Sequence, residues 1–353
     1  MRYIIIGAGA IGGAIGARLF QSGYEVVLVA RSAHYEALRS NGLTLADPEE
    51  TQVLQIPAAD GPEGVDLRAD DVLILAVKGQ DTEAALDAWA DRPVAGVVGG
   101  AGVAGTGEAG DAGETGDTGG PRAADVLPVV CAQNGVENER VALRRFQHVY
   151  GMCVWLPAVH LEPGVVEAQG KPYTGVLHIG RYPTGVDDTA RQIADDLAKS
   201  TFLAPAKPDV MRWKYSKLLS NLGNSLEALC GGRSGSPAVE ELARRVRAEG
   251  EAAFTAAGID YASAEEEKAS RANFQLRPIG GTQRRGGSSW QSLNRGTGTI
   301  ESDYLNGEVA LLGRLHGVPT PVNARLQLLA KRFAREHRPA GSLDAAEILH
   351  GLD

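Results

Sequence analysis

The chain has 353 residues, of which 43% are hydrophobic and 22% charged, and its formal net charge is −9. This length fits two domains, and the composition is that of a folded globular protein. The negative charge argues against a general binder of nucleic acid or anionic membranes, which needs a basic face, but it permits a local positive pocket. No apolar run is long enough to predict a membrane span, so the cytoplasm is the expected compartment.

The three cysteines, Cys131, Cys153 and Cys230, show no C-x-x-C spacing and no even-numbered framework. We therefore expect buried thiols in a reducing compartment, with no metal site. A disulfide or metal role is the alternative.

The N-terminal part alternates between strand and helix signals. A β-branched run covers residues 2–6, a helix follows through about Gln21, and residues 25–30 form a second strand. Further predicted elements are strands at 71–77, 94–98 and 127–132 and a helix at 81–90. This alternation predicts an α/β fold with a doubly wound, mostly parallel sheet of the Rossmann type.

The remainder of the chain differs in composition and in its predicted secondary structure. Between residues 99 and 122 glycines recur every third residue, with Glu, Asp, Ala and Thr between them, which predicts a flexible acidic insertion. Beyond about residue 209 the predicted elements are helices: Trp213–Leu229, Pro237–Ala257, 301–316 and 322–337. The predicted organisation is thus a Rossmann-type domain at 1–207 and an all-helical domain at 208–353.

The turn after the first strand matches G-x-G-x-x-G; its residues are Gly7, Ala8, Gly9, Ala10, Ile11 and Gly12. A lone match is weak, but this one lies between a strand and a helix in a βαβ unit, which indicates dinucleotide binding. The glycines allow a tight turn and close approach of a pyrophosphate, which the helix N-terminus holds through N–H groups. A glycine turn without a ligand is the alternative.

The second strand ends in Arg31 and Ser32 rather than in an acid. NAD-selective proteins of this fold place a carboxylate there to bind the ribose 2′-hydroxyl. An arginine can instead make charge-assisted contacts with a 2′-phosphate. We therefore predict NADP(H) as the cofactor; a solvated loop residue is the alternative for Arg31.

Polar side chains share one face of the predicted helix at 213–229: Lys217, Asn221, Asn224 and Ser225, at i, i+4, i+7 and i+8. A solvated face is the alternative, although such faces usually carry Glu and Lys, and Asn and Ser form helices poorly. Reduction of a ketone places negative charge on oxygen, which a lysine ammonium can protonate and amides can orient.

Several separated motifs make the chain resemble the ketopantoate reductases (2-dehydropantoate 2-reductases) over nearly its whole length, apart from the insertion. The motifs are the Gly7–Gly12 turn with Arg31, Lys78, Gln133-Asn134-Gly135, Trp213 to Asn221, Ser288-Ser289, Glu301 with Asp303 to Gly307, and His316 to Pro321. The resemblance implies a dinucleotide domain followed by a helical substrate domain.

The resemblance also implies roles for individual residues. Lys217 is the general acid and Glu301 assists it, and their proximity would keep the lysine protonated. The remaining implied contacts are Asn134 near nicotinamide and substrate, Asn221 to substrate, Ser289 to the substrate carboxylate, and Lys78 to the cofactor. Asn224 and Ser225 are further candidates for contacting substrate.

Two positions depart from the family pattern. The family usually has an Asp four residues after the substrate-binding Ser, and this chain has Leu293 there, with Ser292 and Asn294 as uncharged neighbours. The second asparagine of the helix is replaced by Ser225, and Asn224 comes one position early. Both changes affect the side that holds the hydroxyl and tail of the substrate.

The predicted function is NADPH-dependent reduction of a 2-keto acid, with ketopantoate to pantoate, in pantothenate biosynthesis, as the leading reaction. A dehydrogenase of a different hydroxy acid and a non-catalytic NADPH-binding sensor are the alternatives. The expected partners are a small-molecule substrate and a second copy of the chain in a homodimer, with no nucleic acid and no membrane.

Overall fold

The computed structural model describes residues 1–96, 120–232, 236–281 and 286–352. Its strands are β1 (Arg2–Ile6), β2 (Glu25–Val29), β3 (Leu43–Ala46), β4 (Thr51–Leu54), β5 (Ala58–Ala59), β6 (Leu67–Arg68), β7 (Asp71–Leu75), β8 (Val94–Ala95), β9 (Pro128–Cys131), β10 (His148–Trp155), β11 (Ala158–Val159), β12 (Val165–Ala168), β13 (Gly170–Lys171), β14 (Gly175–Arg181), β15 (Phe202–Leu203) and β16 (Gln275–Leu276). Its α-helices are α1 (Ala10–Gln21), α2 (Ser32–Asn41), α3 (Thr82–Ala90), α4 (Ala123–Val126), α5 (Asn138–Leu143), α6 (Asp188–Lys199), α7 (Val210–Asn221), α8 (Gly223–Cys230), α9 (Pro237–Ala256), α10 (Ala264–Ser270), α11 (Ser288–Asn294), α12 (Asn306–His316), α13 (Pro321–Arg335) and α14 (Ala345–His350).

The main sheet has eight strands in the order β15-β14-β10-β9-β7-β1-β2-β5. All its neighbours are parallel except β10 and β14, which run antiparallel. The central strands β1 and β7 are buried on both faces, which explains their unbroken apolar sequence. The predicted doubly wound α/β sheet is therefore confirmed, whereas the long antiparallel pair was not foreseen.

The prediction of a strand at 94–98 is only partly right. Within the described residues the strand is β8, and it pairs with β6 in a separate two-stranded sheet instead of joining the main one. The Gly-rich insertion predicted at 99–122 lies outside the described residues, apart from residues 120–122.

Helix α1 lies between the main sheet and a second sheet of four strands, ordered β11-β12-β3-β4. Its glycines make this double contact possible. A Cβ added to Gly13 would lie 2.8 Å from Val166 of the second sheet, and one added to Gly16 would lie 2.7 Å from Leu28 of the main sheet. The helix that carries the glycine turn at its N-terminus is thus fixed from both sides.

The C-terminal part packs its helices around a separate apolar core that includes Phe254, Leu326 and Phe333. Helix α9 begins with a proline in its first turn and is followed by Gly258 at φ +65°, the usual start and stop signals. One short strand interrupts the helical pattern: β16 pairs antiparallel with β13 of the N-terminal part. This ladder ties the two parts together next to the cleft described below.

The predicted helix at 213–229 is divided at Leu222 into α7 and α8. Leu222 keeps helical dihedral angles, φ −59° and ψ −30°, so the faces of the two helices stay nearly in phase. The Leu222 carbonyl accepts a hydrogen bond from Asn306 Nδ2 at 3.0 Å. A side chain inserted into the backbone ladder is a common cause of such breaks.

Further predictions concern the start of a helix, the domain boundary and the cysteines. The helix predicted at 301–316 begins as a 3-10 helix, Glu301–Tyr304, before α12. The domain boundary predicted at 207/208 falls in the connection between β15 and α7. The three cysteines are buried, as expected. Among the helices that the structure describes, none combines the length and apolar character needed to span a bilayer.

Candidate active site

A cleft of about 930 Å³ lies where the helical part meets the carboxyl ends of the main-sheet strands. One side is formed by the residues that end or follow β1, β7, β9 and β10, and the other by residues of α7, α8, α11 and the 3-10 helix Glu301–Tyr304. Ligands of open α/β sheets bind at this edge. The fold thus brings residues of several separated sequence motifs to one cavity.

The glycine turn forms one end of the cleft, which Gly7, Ala8, Gly9, Ala10 and Ile11 line. Gly7 has φ +99°, and a Cβ there would lie 2.8 Å from the Val77 backbone nitrogen. A Cβ on Gly12 would lie 2.2 Å from the Gly7 carbonyl oxygen, so Gly12 shapes the turn without lining the cleft. A Cβ on Gly9 would meet nothing within 4 Å, because this glycine faces open space.

His34 of α2 braces this turn, and sequence reasoning missed it. Its Nε2–H donates to the Ala8 carbonyl at 2.7 Å, while Nδ1 accepts the Gly164 N–H at 2.9 Å. Its ring lies 4.2 Å from that of His160, centroid to centroid. Burial lowers the pKa of both rings, that of His160 to about 4, so both are neutral at physiological pH.

Arg31 lines the same end of the cleft and is exposed. Beside it lies the loop after β5, because β5 pairs with the last residues of β2. This loop places Asp60 and Glu63 in the cleft lining as well. The cofactor end therefore combines the predicted cation with two carboxylates whose position the sequence did not reveal.

Lys217 of α7 lies at the other end of the cleft, between the turn that follows β9 and the last residues of β10. Its Nζ donates to Asn134 Oδ1 at 2.9 Å and to the Val154 carbonyl. Asn221, one helical turn later, donates through Nδ2 to the same Asn134 oxygen at 3.3 Å. Three of the predicted site residues are thus in direct contact across the domain boundary.

Only some of the polar side chains that were predicted to share one helix face, now divided between α7 and α8, face the cleft. Asn224 lines it, because seven residues bring a helix almost back into phase with Lys217. Ser225 is rotated further, is fully buried, and donates to Asn306 Oδ1 at 2.6 Å. The prediction that Ser225 contacts substrate is therefore corrected: its hydroxyl belongs to a polar network inside the helical core.

Lys78 and Glu301 both line the cleft, and the charge of Glu301 acts on Lys78. Lys78 Nζ donates to Ser292 Oγ at 2.5 Å, and Glu301 Oε1 accepts the neighbouring Gly79 N–H at 3.1 Å. Burial lowers the pKa of Lys78, and the negative charge of Glu301 partly offsets this. Ser292 thus supplies a contact beside the position where the sequence lacks the expected Asp.

Helix α11 places its serines differently from the prediction. Ser288 lines the cleft, whereas Ser289 is 2% exposed and outside the lining, with no hydrogen-bond partner for Oγ among the described residues. Leu293 packs into the core of the helical part. The substitution at Leu293 therefore removes a polar group from the site without adding an apolar group to the cleft.

Several residues of the Lys217 end carry no sequence motif. Trp155 is the last residue of β10, and the centroid of its ring lies 5.2 Å from Lys217 Nζ. The guanidinium of Arg271 lies over the same ring at 3.8 Å. Both residues line the cleft, together with Phe274 and Leu276. Trp155 and Leu276 belong to strands that were not predicted, and Arg271 and Phe274 lie between elements, so neither periodicity nor spacing could identify them.

A buried ion pair holds α7 against the sheet. Lys214 Nζ contacts Glu139 of α5 and also donates to the Gln133 carbonyl at 3.1 Å. Both charged side chains are almost completely buried, and burial raises the pKa of Glu139. Because Lys214 precedes Lys217 by one helical turn and Gln133 precedes Asn134, this pair sits directly behind the Lys217–Asn134 contact.

The charge of the cleft lining differs from that of the chain as a whole. Basic side chains are distributed along its length: Arg31, Lys78, Lys217, Arg271 and Arg295. The acidic side chains of the lining are Asp60, Glu63, Asp81 and Glu301. A net charge of −9 thus coexists with a cavity suited to anionic ligands.

Known proteins match the chain over almost its full length. The curated 2-dehydropantoate 2-reductase of Mesorhizobium japonicum is 29% identical over 344 residues, covering 95% of this chain and 98% of that protein. Two solved structures share the fold at a TM-score of 0.73. The PanE/ApbA family ketopantoate reductase of Ralstonia eutropha JMP134 is 24% identical, covering 96% and 100%, and a D-mandelate dehydrogenase with NADH and anilino(oxo)acetate is 21% identical, covering 96% and 99%.

Two family models match as well. Residues 3–96 match the model of ketopantoate reductase PanE/ApbA, and residues 209–334 match its C-terminal model. The first range contains the glycine turn, Arg31 and Lys78, and the second contains α7, Lys217 and Glu301. Together the matched residues make up more than half of the chain, which therefore belongs to the ketopantoate reductase (PanE/ApbA) family of oxidoreductases.

Proposed function

We propose that this protein reduces a 2-oxo acid to a 2-hydroxy acid with NADPH, and that ketopantoate, which gives pantoate, is its substrate. The observation that carries the proposal is the contact of Lys217 with Asn134 and the Val154 carbonyl, at the opposite end of the cleft from the glycine turn. A proton donor and a dinucleotide site in one cavity are what the reaction requires.

The residues around the glycine turn fit a nicotinamide dinucleotide. Gly9 leaves space at the N-terminus of α1, where backbone N–H groups lack partners within the helix and can hold a pyrophosphate. Arg31 supports NADPH over NADH, since its guanidinium can pair with a 2′-phosphate. When bound, this cofactor supplies the hydride.

The residues of the Lys217 end supply binding and the proton. Asn134 and Asn221 hold the substrate carbonyl, and Lys217 Nζ gives a proton to its oxygen as the carbonyl carbon accepts the hydride. The result is a hydroxyl group, and Lys217 regains its proton from solvent. Glu301 and Lys78 line the same cleft, where each acts on the charge of the other. Ser288 and Asn224 line the same cleft, and we assign them to the substrate carboxylate.

The test is the rate of NADPH oxidation by the purified protein with ketopantoate and with other 2-oxo acids. Turnover of ketopantoate supports the proposal. Turnover of other 2-oxo acids only would move the substrate assignment to a different hydroxy acid. NADPH binding without turnover of any of them would overturn the enzymatic proposal. The homodimer and the cytoplasmic location stay predictions.

A further inference from the structure

Residues 292–301, here called the bridging segment, run from the end of α11 into the 3-10 helix Glu301–Tyr304. Four of its side chains form hydrogen bonds with residues of the sheet-containing part. These bonds join Ser292 to Lys78, Arg295 to His160, Thr299 to Gln80 and Glu301 to Gly79. The bridging segment thus fixes the helical part to the sheet-containing part along the cleft.

Arg295 of the bridging segment is a positive group without an ion-pair partner among the described residues. Its Nη1 donates to the His160 carbonyl at 3.3 Å, and its Nε is buried and has no hydrogen-bond partner within the same residues. Burial lowers the pKa of Arg295, and the negative charge of Glu301 acts in the other direction. The guanidinium stays protonated at neutral pH. A buried charge without a partner is unfavourable, and a bound anion would neutralise it.

The contacts of Arg295 lead to the glycine turn. Its partner His160 lies against His34, with 4.2 Å between the ring centroids, and His34 donates to the Ala8 carbonyl at 2.7 Å. All four of these residues line the same cavity. Because both imidazole rings are neutral, they add no charge there. Arg295 therefore extends from the helical part to the end of the cleft where the pyrophosphate is expected.

Lys78 brings a second positive charge to this region. Burial is the main cause of the lowered pKa of Lys78, and the positive charge of Arg295 adds to the effect. The preceding residue lies against the glycine turn, since a Cβ on Gly7 would lie 2.8 Å from the Val77 nitrogen. Two cations that repel each other are stabilised by an anion that carries more than one charge. The pyrophosphate of a dinucleotide is such an anion.

We infer that Arg295 binds the pyrophosphate of the cofactor from the helical part, so that the dinucleotide is held by both parts of the chain. The planar guanidinium can donate two parallel hydrogen bonds to phosphate oxygens. This inference rests on the proposed binding of a nicotinamide dinucleotide and is independent of which 2-oxo acid is reduced. The role differs from that of Arg31, which is assigned to the 2′-phosphate that only NADPH carries.

The test is fluorescence titration of the protein with NADPH and with NADH, without any 2-oxo acid. We expect Arg295→Gln to raise both dissociation constants by at least about tenfold, and by the same factor within about twofold, because the two cofactors share the pyrophosphate. Arg31→Gln should weaken the binding of NADPH alone. Arg295→Lys keeps the charge but loses the planar fork, so its dissociation constants should lie between those of the original protein and of Arg295→Gln.

Three results would overturn the inference. Unchanged dissociation constants in Arg295→Gln would show that Arg295 does not bind the cofactor. Weaker binding of NADPH alone would assign Arg295 to the 2′-phosphate. Unchanged cofactor binding with a raised KM for ketopantoate would assign it to the substrate carboxylate. Failure of the original protein to bind either cofactor would instead overturn the proposed function.

Two control variants separate the charge of Arg295 from the docking of the bridging segment. Thr299→Val removes the acceptor of the 3.3 Å hydrogen bond from Gln80 and leaves the charge unchanged. Arg314→Gln removes a charge from an exposed position of α12 outside the cleft lining. Both should change the two dissociation constants by less than about twofold. If Thr299→Val weakened binding as much as Arg295→Gln, the loss would come from docking, which would contradict the inference.

Discussion

The two ends of the cleft are built in different ways. At the cofactor end the turn between β1 and α1 is one continuous stretch that presents mainly backbone, and Arg31, Asp60 and Glu63 are added by the segments that follow β2 and β5. At the Lys217 end the groups come from α7, the turn after β9, the last residues of β10 and the segment after α10 that carries Arg271. The first end depends on local geometry, and the second depends on how the two parts of the chain dock.

This difference implies a division of sensitivity. The glycine turn depends on the absence of side chains within a few consecutive residues. Substitutions elsewhere in the molecule should therefore leave its shape unchanged. The geometry of the Lys217 end depends on four segments, so a substitution that shifts any one of them should change that geometry. Substitutions at the Lys217 end should therefore affect turnover and leave cofactor binding intact, and substitutions at the cofactor end should do the reverse.

The largest effect is expected from Lys217→Met. Loss of the proton donor should lower kcat by about 10²–10⁴-fold, while the dissociation constant for NADPH stays within about twofold of the original. Steady-state rates and fluorescence titration of NADPH measure the two quantities. Lys199→Met, at the exposed end of α6, is the control and should change neither. If Lys217→Met also bound NADPH much more weakly, this result would contradict the claim that the two ends of the cleft act separately.

The docking of α7 is tested at the buried pair of Lys214 and Glu139. Lys214→Met leaves a carboxylate buried without its partner, so we expect the free energy of unfolding to fall by about 3 kcal/mol. The double variant Lys214→Met/Glu139→Leu removes both charges and should be more stable than the single one. Denaturant unfolding measures both. A single variant as stable as the original protein would show that the pair does not hold the helix.

The corresponding test at the cofactor end measures the preference for NADPH over NADH. Arg31→Gln should raise KM for NADPH about tenfold or more and leave KM for NADH unchanged, because only the 2′-phosphate loses a charged contact. The control is Arg39→Gln on α2, an exposed arginine paired with Glu36. Equal effects on the two cofactors would contradict the role assigned to Arg31.

The smallest effect is expected at the two carboxylates beside Arg31. Asp60→Asn and Glu63→Gln remove exposed negative charges from the cleft lining, and each should lower KM for NADPH by about two- to fivefold. The effect should weaken at high salt. Asp66→Asn, exposed and outside the lining, serves as control. A rise in KM would mean that these carboxylates bind the cofactor instead of opposing it.

The same contrast explains what the sequence revealed. The glycine turn was predicted residue by residue because its spacing is dictated by backbone sterics within six positions. Helix α9 was equally clear, since Pro237 and Gly258 mark its ends. The antiparallel pair β10–β14 was missed because pairing between distant strands leaves no local pattern.

At the Lys217 end only some of the side chains that form the site could be predicted from the sequence. The helical spacing predicted that Lys217 and Asn221 share a face, and they meet at Asn134. It could not show that Asn306 would draw Ser225 into the core, nor that Ser288 would line the cleft in place of Ser289. Such choices depend on the rotation of one helix against another, which tertiary packing sets.

The central claim is that one cavity brings NADPH and the carbonyl of a 2-oxo acid together for direct hydride transfer. The most direct measurement uses NADPH carrying deuterium in both C4 positions of the dihydronicotinamide, followed by mass spectrometry of the hydroxy acid formed from ketopantoate. The account predicts that the product carries one deuterium on the carbon that bears the new hydroxyl group. A product formed without that label, or no product while NADPH binds, would contradict it.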